Sequence, residues 1–403
     1  MNKHGKLILI SLFITYIFII GIYLMLTPDN AKSNTENREM AQKPNLSYDS
    51  FGKGTFMKEF EDYFTDQFPG RDVWLKSYLN YQRMVDKTYV NGFYITEDNW
   101  ILNKPVHTSY KNQIDLSTNK VNEFGKYLKK KDIDFYYFSA PHKASMFREM
   151  LPDYIERGNE LKSVNYFMSN LDKNVVTSLD MVEKFKKNFT LDELKDMYFQ
   201  TDHHWNIYGA FEGYKMIVDV LDKNGLQKDK DKYVDVNSYK KECISPNKLF
   251  LGSTNRQLYM AIKSDDNKDM CTLTNREIFL DYEVRQGNKK VKPFDLYARA
   301  LDDENNNIID YGEIFTNNKR EINIVNNKNR GRENILIIKD SYANPIIYHI
   351  AQHFYKTTVY DPRHNKDRTI KDFIDKEDFD SVAILYNSSH LRGVNYNFFD
   401  LPK

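Results

Sequence analysis

The chain has 403 residues, enough to bury a full core as one large domain or two to three ordinary ones, and 41% of it is hydrophobic. Its 58 Lys and Arg nearly cancel its 57 Asp and Glu. No long run of one sign stands out, so the electrostatic footprint of a nucleic-acid binder is missing. The two cysteines, Cys243 and Cys271, sit far from any CxxC or Cys/His spacing, which argues against a structural zinc site. Outside the membrane they could form one disulfide, though spacing alone does not fix its geometry. Aromatic residues make up 14% of the chain, a level compatible with carbohydrate-facing surfaces and equally with an ordinary core.

At the amino terminus, Leu7 to Leu26 is a run of 20 uncharged residues, long enough to cross a bilayer as a helix. A signal peptide would usually have a shorter apolar region followed by a small-residue cleavage site. Here Leu24, Met25, Leu26, Thr27 and Pro28 follow, which favours an uncleaved anchor. Lys3 and Lys6 precede the span, so the positive-inside rule places the bulk of the chain outside the cytoplasm. Chemistry there must proceed without cytosolic cofactors. Residues 1–26 thus read as a short cytoplasmic tail and transmembrane anchor. Residues 27–50, rich in Asn, Ser, Lys, Glu and Pro, read as an extracellular solvated linker.

Folding is expected to resume near Phe51. From Phe56 through Phe60, Tyr63, Phe64 and Phe68 to Arg71 and Trp74, helical apolar spacing broken by Pro69 predicts two short helices around a turn, packed into a core. After a charged helical segment ending near Lys131, Phe135 to Phe138 reads as a buried strand that breaks at Ser139, Ala140 and Pro141. Three more strands follow the same logic. Asn334 to Ile338 leads into Lys339, Asp340, Ser341 and a helical pattern from Pro345 to Phe354; Thr357 to Tyr360 ends in Asp361, Pro362 and Arg363; Val382 to Tyr386 ends in Asn387 and Ser388. Continuous apolar strands separated by helices predict an α/β fold with a parallel sheet covered on both faces, and in such sheets sites collect at the carboxyl ends of the strands. Between about Val236 and Arg330 the texture changes to a β-rich insertion, with alternation from Glu277 to Arg285 and a turn at Gln286, Gly287 and Asn288. No internal repeat is found.

Two stretches carry chemistry. Ser341 lies between a buried strand and a helix start, where free backbone N–H groups could stabilise an oxyanion, but where a serine is also a common helix cap. Asp202 and His204, in the string Thr201, Asp202, His203, His204, Trp205, Asn206, could supply a base and the acid that orients it. Thr201 or Asp202 could instead cap the helix whose apolar face includes Tyr208, Phe211, Ile217 and Leu221. Paired histidines could ligate a metal, yet the helical spacing of the metalloprotease motif and a companion Cys/His cluster are both missing, so no metal is expected.

The string Asp202, His203, His204, Trp205 resembles the motif that names the DHHW family, which is similar to the alginate O-acetylation proteins AlgJ and AlgX of the wider SGNH hydrolase group. Further matching pieces occur in order: Phe64 to Arg71 (FTDQFPGR), Ala140 to Lys143 (APHK), Lys339 to Pro345 (KDSYANP) and Tyr360 to Arg363 (YDPR). The resemblance covers nearly everything after the linker, making residues 51–403 an SGNH-like catalytic domain. It implies Ser341 as nucleophile, His204 as general base and Asp202 as its orienting acid. In ordinary SGNH enzymes the Asp and His follow the serine; here they precede it, in a circularly permuted motif order. Lys339 stands where the usual block has glycine, and no second-block glycine is identified. The Ser341 backbone N–H and Asn387, which resembles the third-block asparagine, are the oxyanion candidates. Arg363, His142 and Lys143 close neighbouring strands and are the candidate substrate contacts, with a surface salt bridge as the other reading of Arg363. His203 is left out, because adjacent side chains on an extended loop tend to point to opposite sides.

The resemblance implies an extracytoplasmic serine O-acyltransferase that acetylates a cell-surface or exported polysaccharide. No cofactor is expected; the acetyl donor would be delivered by a multi-pass membrane O-acyltransferase partner. A carbohydrate esterase with the same residues and a non-catalytic glycan-binding subunit are the alternatives.

Overall fold

The computed structural model describes residues 3–108, 110–223, 238–365 and 367–400. It divides into two compact units, Met1–Asn91 with Asn255–Lys263, and Gly92–Thr254 with Ser264–Lys403. The first unit opens with α1, Lys3–Leu26. Its span His4–Leu26 has a mean hydropathy of 2.7 and is long and apolar enough to cross a membrane, a test that a signal sequence also passes. The next stretch, expected to be a solvated linker, carries a small antiparallel pairing of Lys32–Ser33 with Arg38–Glu39. Arg38 fastens it to the helix Thr55–Asp66 through two bonds to Asp66, at 2.7 and 2.6 Å.

The two helices expected around Pro69 are α2, Thr55–Asp66, and α3, Arg71–Met84. Gly70 joins them at φ +64°, a left-handed conformation that favours glycine. Tyr63 and Leu79 are buried as expected of a core face. Phe60, Phe64 and Trp74 are exposed, so the core-packing reading fails for half of the aromatic residues it rested on; Tyr78 and Tyr81, further along α3, are exposed as well. An amphipathic pattern shows that an apolar stripe exists and not what covers it.

The second unit is built on one eight-stranded sheet. Its strands in chain order are β1 (Asp134–Ala140), β2 (Thr177–Asp180), β3 (Glu283–Gln286), β4 (Lys289–Val291), β5 (Glu321–Val325), β6 (Asn334–Lys339), β7 (Lys356–Tyr360) and β8 (Ser381–Asn387). The order across the sheet is β4-β3-β5-β7-β6-β8-β1-β2. From β7 to β2 every neighbouring pair is parallel. β5, β3 and β4 add antiparallel pairings at the other edge. The expected parallel sheet is therefore mixed, because the strands of the insertion extend it. Val236 and Asn237, the start of that insertion, lie outside the described residues.

Ile335 to Ile338 are all buried, as a continuous apolar run on a strand covered on both faces requires. Helix α4, Lys111–Lys129, buries Ile114, Val121, Phe124 and Leu128; Phe124 meets Phe135 of β1 edge-on at 5.3 Å between ring centroids. Helix α5, Ile207–Lys223, follows the DHHW string. Two local readings change. The alternation expected from Glu277 becomes a strand only at Glu283, because Asn275 accepts the Ile278 N–H and caps a helical turn over Arg276–Phe279. The helix expected from Pro345 runs only Ile347–Ala351. Cys243 and Cys271 face one another on paired strands and form a disulfide.

Register aligns the carboxyl ends. Lys339 lies opposite Leu385, Ile338 opposite Tyr360 and Asn387 opposite Ala140. The loops that begin at Pro141, Asp340, Asp361 and Ser388 therefore leave the sheet along one edge.

Candidate functional site

Asp340 follows the last residue of β6, and its Oδ1 accepts the Tyr342 N–H at 2.9 Å, opening a tight 3-10 turn over Ser341–Ala343. The cap is thus Asp340, and Ser341 is the first residue of the turn rather than its cap. No hydrogen bond from the Ser341 N–H occurs among the described residues. The loop before α5 brings His204 to it: His204 Nε2 lies 2.8 Å from Ser341 Oγ, and His204 Nδ1 lies 2.6 Å from Asp202 Oδ1. Asp202, His204 and Ser341 are 1%, 5% and 8% exposed, so the chain of three is shielded along its whole length.

Asp202 is held from several sides. Its Oδ1 accepts the His204 N–H at 3.0 Å and its Oδ2 the Ser253 N–H at 2.7 Å. Burial pushes the Asp202 carboxyl up, but the His204 and His203 rings and the Ser253 N–H outweigh it and keep the pKa well below the usual range. A carboxylate so held fixes which nitrogen of His204 carries the proton and turns the other toward Ser341.

The loop is clamped from below. Asp266 accepts the Gln200 and Thr201 N–H groups at 2.7 and 2.8 Å and also the Thr201 hydroxyl. At Gly252 a Cβ would stand 2.5 Å from the Thr201 carbonyl oxygen, so only glycine allows this approach. Trp205 donates its Nε1–H to the Tyr342 carbonyl at 3.0 Å, tying the histidine loop to the serine turn.

The remaining expected residues divide. Asn387 donates one side-chain N–H to Asp340 Oδ2 at 2.7 Å and its backbone N–H to the same oxygen at 2.7 Å, so it braces the serine turn; its amide nitrogen also lies 3.2 Å from His390 Nδ1. His390 also reaches Asp340, at 2.9 Å. Burial raises the Asp340 pKa, and His390 with the Asn387 and Tyr342 N–H groups more than reverses this, to about 2. Lys143 is 1% exposed and points inward, donating to the Gln200 and Asp202 carbonyls at 2.6 and 2.9 Å. That corrects its reading as a substrate contact, because an ammonium buried under the loop reaches no solvent-borne ligand. His142 accepts the Ala144 N–H on Nδ1 at 3.2 Å, with its ring 6.0 Å from that of His203; burial drives its pKa down to about 3.

Arg363 is paired with Asp361 through bonds of 2.9 and 2.7 Å, while the same carboxylate takes the buried Lys339 at 3.2 Å. The glycine position of the usual block is thus filled by a lysine used in an internal ion network. His203, set aside on alternation grounds, stays beside the site: its ring centroid is 3.8 Å from that of His204, and Nδ1 meets Ser253 Oγ at 2.7 Å.

Sequence reasoning did not single out Tyr311, Asp266 or Ser253. All three come from the insertion, where no motif marked them. Asp202, His203 and His204 offer ligand-type atoms within 4.8 Å of one another. Those atoms are engaged with Ser341, Ser253 and each other, an arrangement that fits proton transfer better than ion binding.

Residues 94–242 match a family model described as ALGX, SGNH hydrolase-like domain, acetyltransferase AlgX. The match contains the DHHW string and ends before Ser341. Among solved structures the chain is similar to Bacillus cereus PatB1, with 29% identity and a TM-score of 0.67 over 76% of this chain and 99% of that one. A second PatB1 structure, with a sulfonyl adduct, gives 26% identity and a TM-score of 0.66 over 76% and 97%. A DHHW family protein from Eubacterium siraeum shares the fold at 16% identity and a TM-score of 0.56, over 78% of this chain and 97% of that one. A comparison with curated proteins found no match. Over residues 94–242 the chain is similar to an SGNH hydrolase-like domain, and its α/β fold is shared with PatB1 and with a DHHW family protein.

Proposed function

We propose that this chain is an extracytoplasmic serine O-acyltransferase, anchored by α1, that acetylates a cell-surface or exported polysaccharide. The observation that carries the reading is the hydrogen-bonded order Ser341 Oγ, His204 Nε2, His204 Nδ1, Asp202. In this scheme Ser341 Oγ gives its proton to His204 Nε2 and attacks the acyl carbon of the donor, whose leaving group departs with that proton. A sugar hydroxyl then attacks the Ser341 ester; its proton passes to His204 and on to Ser341 Oγ as the ester bond breaks. The Ser341 N–H is the oxyanion donor in this reading. No cofactor takes part, and the donor is delivered by a multi-pass membrane acyltransferase. The acetyltransferase named by the matched family model supports transfer over hydrolysis.

The test uses the full chain in detergent micelles with an activated acetyl ester and a panel of oligosaccharides. Acetylated sugar should form, and Ser341→Ala should abolish it. Because a PatB1 structure carries a sulfonyl adduct, a sulfonyl fluoride should label Ser341 and block turnover. Release of acetate alone, unchanged in rate by every acceptor, would establish the esterase alternative.

A further inference from the structure

The hairpin of α2 and α3 leaves an aromatic surface that the proposed chemistry does not use. Trp74, Tyr78, Tyr81 and Val85 follow at i, i+4, i+7 and i+11, which is one face of a helix, and all four are exposed. Phe64, also exposed, packs edge-on against Phe68 at 5.7 Å on the other side of the turn. A water-soluble surface rarely gathers this much apolar area without a partner.

The partner follows from where the turn sits. The first residues after α1 are bound to the hairpin: Tyr63 donates its hydroxyl to Asp29 Oδ1 at 3.0 Å, the Asn30 N–H donates to Gln67 Oε1 at 2.9 Å, and Gln67 Nε2 returns a bond to the Asn30 carbonyl at 3.0 Å. Tyr23, Leu24 and Thr27 at the end of α1 line one cleft with Phe68, Pro69 and Gly70 of the turn. The Trp74 indole lies over that turn, its Cδ1 and Nε1 each 3.9 Å from where a Cβ on Gly70 would stand. The exposed tryptophan therefore lies against the turn that shares this cleft with the end of the apolar helix.

We propose that this hairpin is a foot on the membrane, with Phe64, Trp74 and Tyr78 seated at the boundary between headgroups and acyl chains of the bilayer that α1 crosses. Amphipathic rings favour that layer, where the apolar body is desolvated and the indole N–H or phenol stays hydrated. The foot fixes α1 and the turn at one depth. The inference rests on the reading of α1 as an anchor and is independent of the chemistry at Ser341.

The sequence provides its own probe. Of the three tryptophans, Trp74 is 61% exposed whereas Trp100 and Trp205 are 3% and 0% exposed. The full chain is reconstituted into phosphatidylcholine–phosphatidylglycerol vesicles, with and without bromine on the upper acyl chain, and floated to establish association. The expected result is at least twofold bromine quenching of a blue-shifted emission component that Trp74→Phe removes. In a cofloating chain, a Trp74 component quenched by aqueous iodide and insensitive to bromine overturns the foot while leaving the anchor standing; that outcome points to a protein occupant instead. A folded chain that does not float with the vesicles overturns anchor and foot together, and acetyl-ester turnover measured on the same sample tells either failure from loss of the Ser341 chemistry.

Discussion

The Tyr311 ring lies 3.8 Å, centroid to centroid, from the His204 imidazole and within 7° of parallel to it. Asp202 fixes the edge of the imidazole through Nδ1, and the phenol ring fixes its plane. Tyr311 is placed by its neighbour Asp310, whose Oδ1 accepts the Gly312 N–H at 2.9 Å and starts the helical turn that carries the ring. Removing the ring frees the imidazole to tilt and admits water beside it. Tyr311→Ala should lower kcat for acetyl-ester turnover by roughly ten- to a hundredfold, in line with the cost of small misplacements at reacting centres, whereas Tyr311→Phe, which keeps the stacking, should stay close to the parent. Equal losses in both variants would show that the ring is not what positions His204.

Asp202→Asn tests the tautomer argument separately from the role proposed for Ser341. An amide of the same shape can hold the imidazole with the proton on the nitrogen that should accept from Ser341. Turnover should fall by roughly a thousandfold or more, with the fold intact by circular dichroism. Ser341→Ala should remove sulfonyl labelling altogether, while Asp202→Asn should slow labelling without moving it to another residue. Unchanged labelling kinetics in Asp202→Asn would contradict the role given to that carboxylate.

The sheet was legible where strands announce themselves as unbroken apolar runs closed by breakers, as at Ile335 to Ile338 followed by Asp340 and Ser341. The meeting of Ser341 with His204 was not legible from local chemistry, since 137 residues separate them and either residue alone reads equally well as a cap or a loop; the string resemblance suggested the pair. Position along a strand end was recoverable, but direction was not. Lys143 and Asn387 stand where expected, and both side chains turn into the protein to hold loops. Tyr311 and Asp266 come from a segment of short elements without strong periodicity, so only tertiary folding brings them to the site.

Cys243 and Cys271 are 28 residues apart and join paired strands of the insertion, the segment that also supplies Asp266, Ser253 and Tyr311. Closing a loop of that length restricts the unfolded chain by about 3.6 kcal/mol in the chain-entropy account. Replacing both cysteines with serine should therefore lower the midpoint of thermal unfolding by several degrees. A reducing agent should do the same to the parent and nothing further to the variant. A parent chain insensitive to reductant under conditions that free both thiols would show that the cross-link contributes nothing to stability.

Lys143 offers a pH test with a definite sign. Burial pulls its pKa down from 10.5 to about 7, against the opposing pull of Asp266 and Asp202. The folded chain therefore releases this proton at lower pH than the unfolded chain does. Between about pH 7 and pH 10.5 the unfolded state binds more protons, so stability rises with pH across that window, by up to about 1.4 kcal/mol per pH unit from this group. Below pH 7 both states carry the charge and its burial penalty is constant. Lys143→Met keeps the bulk over Trp100, removes the titration, and gives up the donors to the Gln200 and Asp202 carbonyls. Denaturant unfolding at about pH 6 and about pH 9 should show the parent gaining stability relative to the variant as pH rises. Curves that stay parallel would mean that Lys143 titrates outside this window. A variant with parental stability but a raised KM for the sugar acceptor would instead return Lys143 to the role of a substrate contact.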